Sequence, residues 1–251
     1  MTTNGVTRTS SSGWSLAACS RRFVRLLAAP IALLFPPACV RCGRSVALGQ
    51  VLCPTCAPQP ESGEGARCVV CGQTLSDDSL DLCLPCGVRS QAFDRVLALG
   101  DYDGDWGSLV RTLKFDRETA IGRWLAEQMV DRCREDPGSF DCVAYVPMTA
   151  RERRDRGFNP SRLLARLVAR RLGLPLKRDL KKIRRTRRQS SLPAGERREN
   201  LRGAFRAIRS VHGRALLVDD IFTTGATANV CAETLKGAGC DAVTVLVVAR
   251  A

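Results

Sequence analysis

The segment Ala215-Leu216-Leu217-Val218-Asp219-Asp220-Ile221-Phe222-Thr223-Thr224-Gly225-Ala226-Thr227 decides the fold. Its apolar start, Ala215 to Val218, has the length of a buried parallel strand. Two adjacent acids end it, because a strand covered on both faces cannot carry them in its middle. A loop of hydroxyl residues around one glycine follows, and then a helical pattern from Ala228 to Ala238, closed by Gly237 and Gly239. In an open α/β sheet, ligands bind beyond the carboxyl ends of the strands, and a helix amino terminus there offers free N–H groups to a phosphate. Asp219 and Asp220 can accept hydrogen bonds from vicinal hydroxyls and can hold Mg²⁺. Phosphate cradle and paired acids together suit a ribose phosphate.

The same dozen positions resemble the signature of type I phosphoribosyltransferases, which bind phosphoribosyl pyrophosphate (PRPP). The resemblance implies that Asp219 and Asp220 hold the ribose hydroxyls and Mg²⁺, and that Thr223, Thr224, Gly225, Ala226 and Thr227 hold the 5-phosphate.

Composition sets the frame. The chain has 251 residues, 45% of them hydrophobic, enough for one ordinary α/β domain and a smaller module. Its net charge is +14, but Ala150 to Arg214 alone carries 22 Arg and Lys against 5 Asp and Glu. Polyanions, pyrophosphate or nucleic acid, are the natural partners of such a segment. No apolar run reaches 18 residues, so no membrane span is expected. His212 is the one histidine and no Walker loop or Gly-x-Gly-x-x-Gly follows a strand, which argues against a histidine relay, an NTPase or a dinucleotide enzyme.

Eight of the 13 cysteines form four Cys-x-x-Cys pairs. Cys39, Cys42, Cys53 and Cys56 make one quartet; Cys68, Cys71, Cys83 and Cys86 repeat it about 30 residues on, with Gly43 and Gly72 after the first knuckle of each. Two knuckles close one tetrahedral Zn²⁺ site with no open position, so two structural zinc ions are expected. Spacing leaves open whether each quartet is one site or the pairs cross-brace. Metal-type cysteines imply a reducing, cytoplasmic location.

Residues 1–13, rich in Thr, Ser, Gly and Asn, read as a disordered tail, and 14–36 as an amphipathic helix. Pro30, Pro36 and Pro37 and the lack of an Ala-x-Ala site argue against a signal peptide. The zinc module is placed at 37–90 and the α/β domain at 93–251, with strands at Val96–Leu99, Phe140–Val146 and Asp241–Ala249. Helical patterns cover Trp106–Phe115, Ile121–Cys133 and Ser161–Leu172, and Arg151 to Pro160 reads as a basic loop.

With the Cys quartets, Tyr102-Asp103-Gly104, Leu113-Lys114-Phe115, Val146-Pro147, Arg156-Gly157-Phe158-Asn159, Arg184-x-Thr186-x-x-Gln189 and the Arg197 and Asn200 pair, the chain from about Pro36 onward is identified as a member of the ComF family. These are amidophosphoribosyltransferase-like proteins named from bacterial competence, the uptake of DNA. Pro160 and Met148 depart from the family pattern. The resemblance implies a type I phosphoribosyltransferase-like parallel sheet flanked by helices, preceded by a small zinc-ribbon module. It also implies a flap that carries Arg184, Arg185 and Gln189 and closes on the phosphates, with Arg151 and Arg156 on the pyrophosphate. The expected partners are PRPP or a ribose 5-phosphate, single-stranded DNA and other competence proteins. The alternative function is a transferase of nucleotide metabolism, moving ribose 5-phosphate to a nitrogen acceptor with no DNA role. With aromatics at 5%, stacking offers little to a single strand, which counts against the DNA reading.

Overall fold

The computed structural model describes residues 36–59, 66–115, 119–136, 138–186 and 194–251. The tail at 1–13, nearly all of the helix expected at 14–36, and Gln189 lie outside them. The chain divides into two compact units, Met1–Ala57 and Pro58–Ala251.

In the first unit, an isolated bridge joins Ala38 to Ser45, and Cys39 donates its N–H to Arg44 O while Gly43 returns to Cys39 O. The second knuckle closes as Cys56 and Ala57 both donate to Cys53 O. The second unit begins with the same turns shifted along the chain: Arg67 bridges Thr74, Cys68 donates to Gln73 O, Gly72 returns to Cys68 O, and Cys86 donates to Cys83 O. The internal repeat is therefore a repeat of hydrogen bonds as well as of cysteines.

The second ribbon packs on the α/β sheet. Cys68, Cys71, Leu75 and Cys83 share one buried cluster with Phe93, Val96, Phe222 and Val247. Val96 donates to Val70 O, and the Arg250 guanidinium donates to Cys71 O at 3.0 Å. So small a ribbon has too few large apolar residues for a core of its own, and it borrows the sheet's.

After a short helix α1 (Leu84–Val88) come β1 (Arg95–Asp101), α2 (Asp105–Phe115), α3 (Thr119–Arg134), β2 (Cys142–Tyr145), α4 (Ala150–Arg156) and α5 (Pro160–Leu172). Then follow β3 (Leu180–Lys182), α6 (Ala194–Leu201), β4 (Phe205–Ala207), β5 (Arg214–Val218), β6 (Ile221–Phe222), α7 (Ala226–Lys236) and β7 (Ala242–Arg250). The main sheet is parallel throughout, ordered β1-β7-β5-β2, with β6 also on β7. Alternate residues of its central strands serve opposite faces. Ala215, Leu217, Val243, Val245 and Val247 join the cluster holding α7 and the second ribbon, while α2, α3 and α5 pack on the sheet as well. The free edge of β2 is covered by 175–177, where Val143 donates to Pro175 O and accepts from Lys177 N–H.

The β5 register, Val218 against Leu246, resumes without slip at Ile221 against Ala249. The strand therefore pauses at the two acids rather than ending there. The basic stretch expected to be a loop is the helix α4. Its Thr149 side chain accepts from Glu152 N–H while the Glu152 carboxylate accepts from Thr149 N–H, a reciprocal cap that forces a helical first turn. In the highly charged segment after Lys177, β3 and β4 form an antiparallel ribbon, and α6 lies between them in the chain.

Candidate functional site

At the carboxyl end of β5, Asp219 N–H donates to Leu246 O and Asp220 O accepts from Ala249 N–H, so β7 holds both acids by their backbones. Ser161 Oγ, on the first turn of α5, donates to Asp219 Oδ1 at 2.7 Å, and Asp220 N–H donates to the same oxygen at 2.9 Å. Lys114 Nζ, near the end of α2, lies 3.0 Å from Asp220 Oδ2. Burial first, and then the Asp220 charge, push Asp219 up to about 7, against the pull of Ser161, the Asp220 N–H and Lys114.

Beyond β6 the chain turns into α7 at Gly225, whose φ is +72°. A Cβ there would stand 2.6 Å from Phe222 Cζ, and that ring is buried edge-on against Phe93, so both backbone conformation and space demand glycine. The first helical bond of α7 runs from Asn229 N–H to Gly225 O. The amides of Ala226, Thr227 and Ala228 precede it, as at any helix start, and no side chain caps them. A concavity of about 30 Å³ is lined by Asp219, Thr223, Gly225, Ala226 and Thr227.

On the other side, Gly157 (φ +89°) ends α4 and Asn159 starts α5, accepting from Arg162 N–H and donating to Val146 O. Arg156-Gly157-Phe158-Asn159 is thus a helix stop and start pinned to the end of β2. Pro160, a departure from the family pattern, takes the first helical position, where a missing N–H costs nothing.

A cleft of about 530 Å³ joins these parts: Asp219, Asp220, Lys114, Thr227, Arg156 and Arg185 all line it. Lys182, from β3, enters the same cleft and pairs with Glu152 at 2.6 Å. Burial would raise Glu152, but the Lys182 ammonium and the Thr149 hydrogen bonds hold its carboxyl below the usual range. Thr223 and Thr224 do not line the acid cleft; they face a second hollow of about 550 Å³ beside Cys71 and Cys83. Arg151 is exposed on α4 and is not among the residues lining the cleft. Arg184 donates to Asn200 O at 3.1 Å and to Arg202 O at 2.7 Å, which ties the exit of β3 to the end of α6.

Sequence reasoning gave no role to Lys114, Ser161 or Lys182. Lys114 stood within a quoted motif, and Ser161 and Lys182 carried no signal of their own.

In each cysteine quartet the four Sγ atoms lie within 4.8 Å of one another, and Cys42 and Cys53 are 3.7 Å apart, Cys71 and Cys83 3.5 Å. Four thiolates about 2.3 Å from one Zn²⁺ would stand about 3.8 Å apart, so both quartets fit the ion. Burial raises Cys39 and Cys68, but neighbouring backbone hydrogen bonds win and lower each to about 6. Cys56 is pushed up to about 12 by burial and by its thiol neighbours. Without a cation the cluster resists carrying four charges, and a bound dication removes that conflict. The ligands group within each quartet, which settles the pairing left open by spacing. Among the described residues, no helix is long and apolar enough to cross a membrane.

Comparison with known proteins agrees with this architecture. Residues 31–87 match the double zinc ribbon domain. DNA utilization protein YhgH of Salmonella typhimurium is 32% identical over 226 residues, covering 87% of this chain and 99% of the relative. The protein of the same name from Escherichia coli is 31% identical over 228 residues, with 87% and 99% covered. Competence protein F of Haemophilus influenzae is 28% identical over 224 residues, covering 85% of this chain and 96% of its own. The chain belongs to the ComF/YhgH family of competence and DNA-utilization proteins.

Proposed function

We propose that this chain binds PRPP with Mg²⁺ in the acid cleft and acts in DNA uptake or processing during competence. The observation that carries the first half is the junction of the acid pair with the start of α7: two carboxylates beside a concavity formed by Gly225, Ala226 and Thr227. Helix-end amides attract a phosphate, and the adjacent carboxylates accept from ribose hydroxyls. Carboxylate oxygens are hard donors and fit Mg²⁺, which when bound would neutralise the pyrophosphate. Arg156 and Arg185, lining the cleft, are suited to the pyrophosphate oxygens by their forked N–H groups. Lys114 compensates Asp220 in the free protein, so the ligand's charge has to rearrange an existing pair.

If ribose transfer occurs, it runs through an oxocarbenium-like state and asks for no protein nucleophile; orientation and stabilisation of the departing pyrophosphate suffice. The relatives' names, DNA utilization protein and competence protein, support the second half over a role confined to nucleotide metabolism.

Calorimetric titration with PRPP and Mg²⁺ tests the site. Wild type should bind, and Asp219→Asn with Asp220→Asn should abolish binding while circular dichroism stays native. Unchanged affinity in the folded double variant would reject the assignment.

A further inference from the structure

The β3–β4 ribbon has a second face, turned away from the cleft. Its inward residues, Leu180 and Phe205, are buried, and the inward Lys182 is paired with Glu152. By strand alternation Lys181, Ile183, Arg206 and Ile208 face outward. Lys181 and Arg206 are exposed, and Ile183 and Ile208 are 51% and 47% exposed. In the antiparallel register Lys181 stands directly opposite Arg206. Ile183 N–H donates to Ala204 O and Ile208 N–H to Asp179 O, so the ladder runs two steps past this pair at each end.

Like charges directly opposite one another weaken a sheet, and a two-stranded ribbon has little stability to spare. Two exposed isoleucines beside them add apolar surface that water disfavours. Each feature opposes the free ribbon, and each is relieved by the same kind of ligand: a flexible polyanion that also carries flat apolar faces. Asp179 stands across the ladder from Ile208, and exposed Arg178 and Arg209 flank this end of the ribbon.

We infer that the outward face of the β3–β4 ribbon is a docking surface for single-stranded DNA. Lys181 and Arg206 engage its phosphates, and Ile183 and Ile208 meet unpaired bases, which a duplex would hide in its stack. The inference rests on the DNA half of the proposed function and names the surface. The surface is distinct from the cleft proposed for PRPP, so DNA and PRPP need not compete.

The test uses a fluorescent oligothymidine of about 20 nucleotides, titrated over a range of salt, with the full-length zinc-loaded protein. Arg206→Glu should weaken binding at least tenfold and reduce the slope of log affinity against log salt by about 0.7 or more. Because its new carboxylate faces Lys181, this variant should melt no lower than wild type, and its affinity for PRPP with Mg²⁺ should be unchanged. Ile183→Ser with Ile208→Ser should weaken binding several-fold at an unaltered salt slope. As a second variant free of any reversed charge, Lys181→Gln with Arg206→Gln should behave as Arg206→Glu does, only more weakly. Full DNA affinity and slope in all three variants would overturn the surface while leaving the DNA reading standing. Wild type that binds no DNA would overturn that reading itself. Loss of binding to vesicles rich in anionic lipid, with DNA binding intact, would reassign the face to a membrane.

Discussion

Lys114 Nζ and Asp220 Oδ2 are 3.0 Å apart, with the two side chains only 15% and 11% exposed. Asp219 stands beside this pair, so at this end of the cleft two carboxylates share one ammonium in a partly dry place. Removing one partner of such a pair leaves a charge that neither water nor protein compensates, at a cost of about 2 kcal/mol here, below the range for full burial. Lys114→Met should therefore lower the melting temperature by several degrees at pH 7.5. Asp220→Asn added to it should recover most of the loss. A double variant no more stable than Lys114→Met would show that the lysine matters through packing.

The raised Asp219 carboxyl gives stability a pH dependence of definite sign. Its value in the fold, about 7, lies above the ordinary 3.8 because burial and the Asp220 charge disfavour ionisation. Between these values the folded state binds the proton and the unfolded chain does not, so this group's contribution is full below about 3.8 and is lost as pH rises through 7. Asp219→Asn keeps an oxygen for Ser161 and the Asp220 N–H and removes the charge. Thermal denaturation should show it gaining on wild type at pH 8.5 and far less at pH 5. An offset that is the same at both pH values would mean that Asp219 titrates like a free carboxylate.

The core strand, the acid pair and the helix start were legible because each rests on local chemistry: an apolar run, two acids that interrupt it, and a glycine that turns the chain. The cysteine spacing was legible for the same reason. Lys114 was not, since its partner lies 106 positions away and a lysine in a helix reads as a solvated charge. The partners of Arg184 in the free protein were not legible either, because composition gives a cation's charge and not its direction; its guanidinium donates to two backbone carbonyls. The helix α4 did have a signal, Thr149 three positions before Glu152, which the run of arginines after it obscured. The union of the second ribbon with the sheet depends on Leu75, Phe93 and Arg250 meeting in space, and no sequence period encodes that.

That union separates the two zinc sites in their effects. Metal analysis of reduced protein should give two Zn²⁺ per chain. Cys39→Ser should unfold its own ribbon and leave the main thermal transition in place, because Cys39 belongs to the unit Met1–Ala57. Cys71→Ser should lower the main transition by several degrees, since its site shares the buried cluster of the sheet and its carbonyl accepts from Arg250. Equal, small shifts in both variants would mean that the second ribbon lends the sheet no stability.

Neighbouring arginines at the exit of β3 should divide in the same manner between structure and binding. Arg184 donates to Asn200 O and Arg202 O, and being exposed it contributes about 1 kcal/mol through these two bonds rather than more. Arg185 lines the acid cleft. Arg184→Ala should lower the melting temperature by a few degrees and weaken PRPP binding only as far as the ribbon loosens, so that cooling the titration restores much of the affinity. Arg185→Ala should leave the melting temperature in place and weaken PRPP about tenfold at every temperature, as expected when one charge-assisted phosphate contact is lost. Paired calorimetric titrations at 10 and 30 °C distinguish the two. If Arg184→Ala loses affinity equally at both temperatures with no change in melting, its guanidinium leaves the carbonyls for the ligand, and the basic run acts as a phosphate clamp in which both arginines take part.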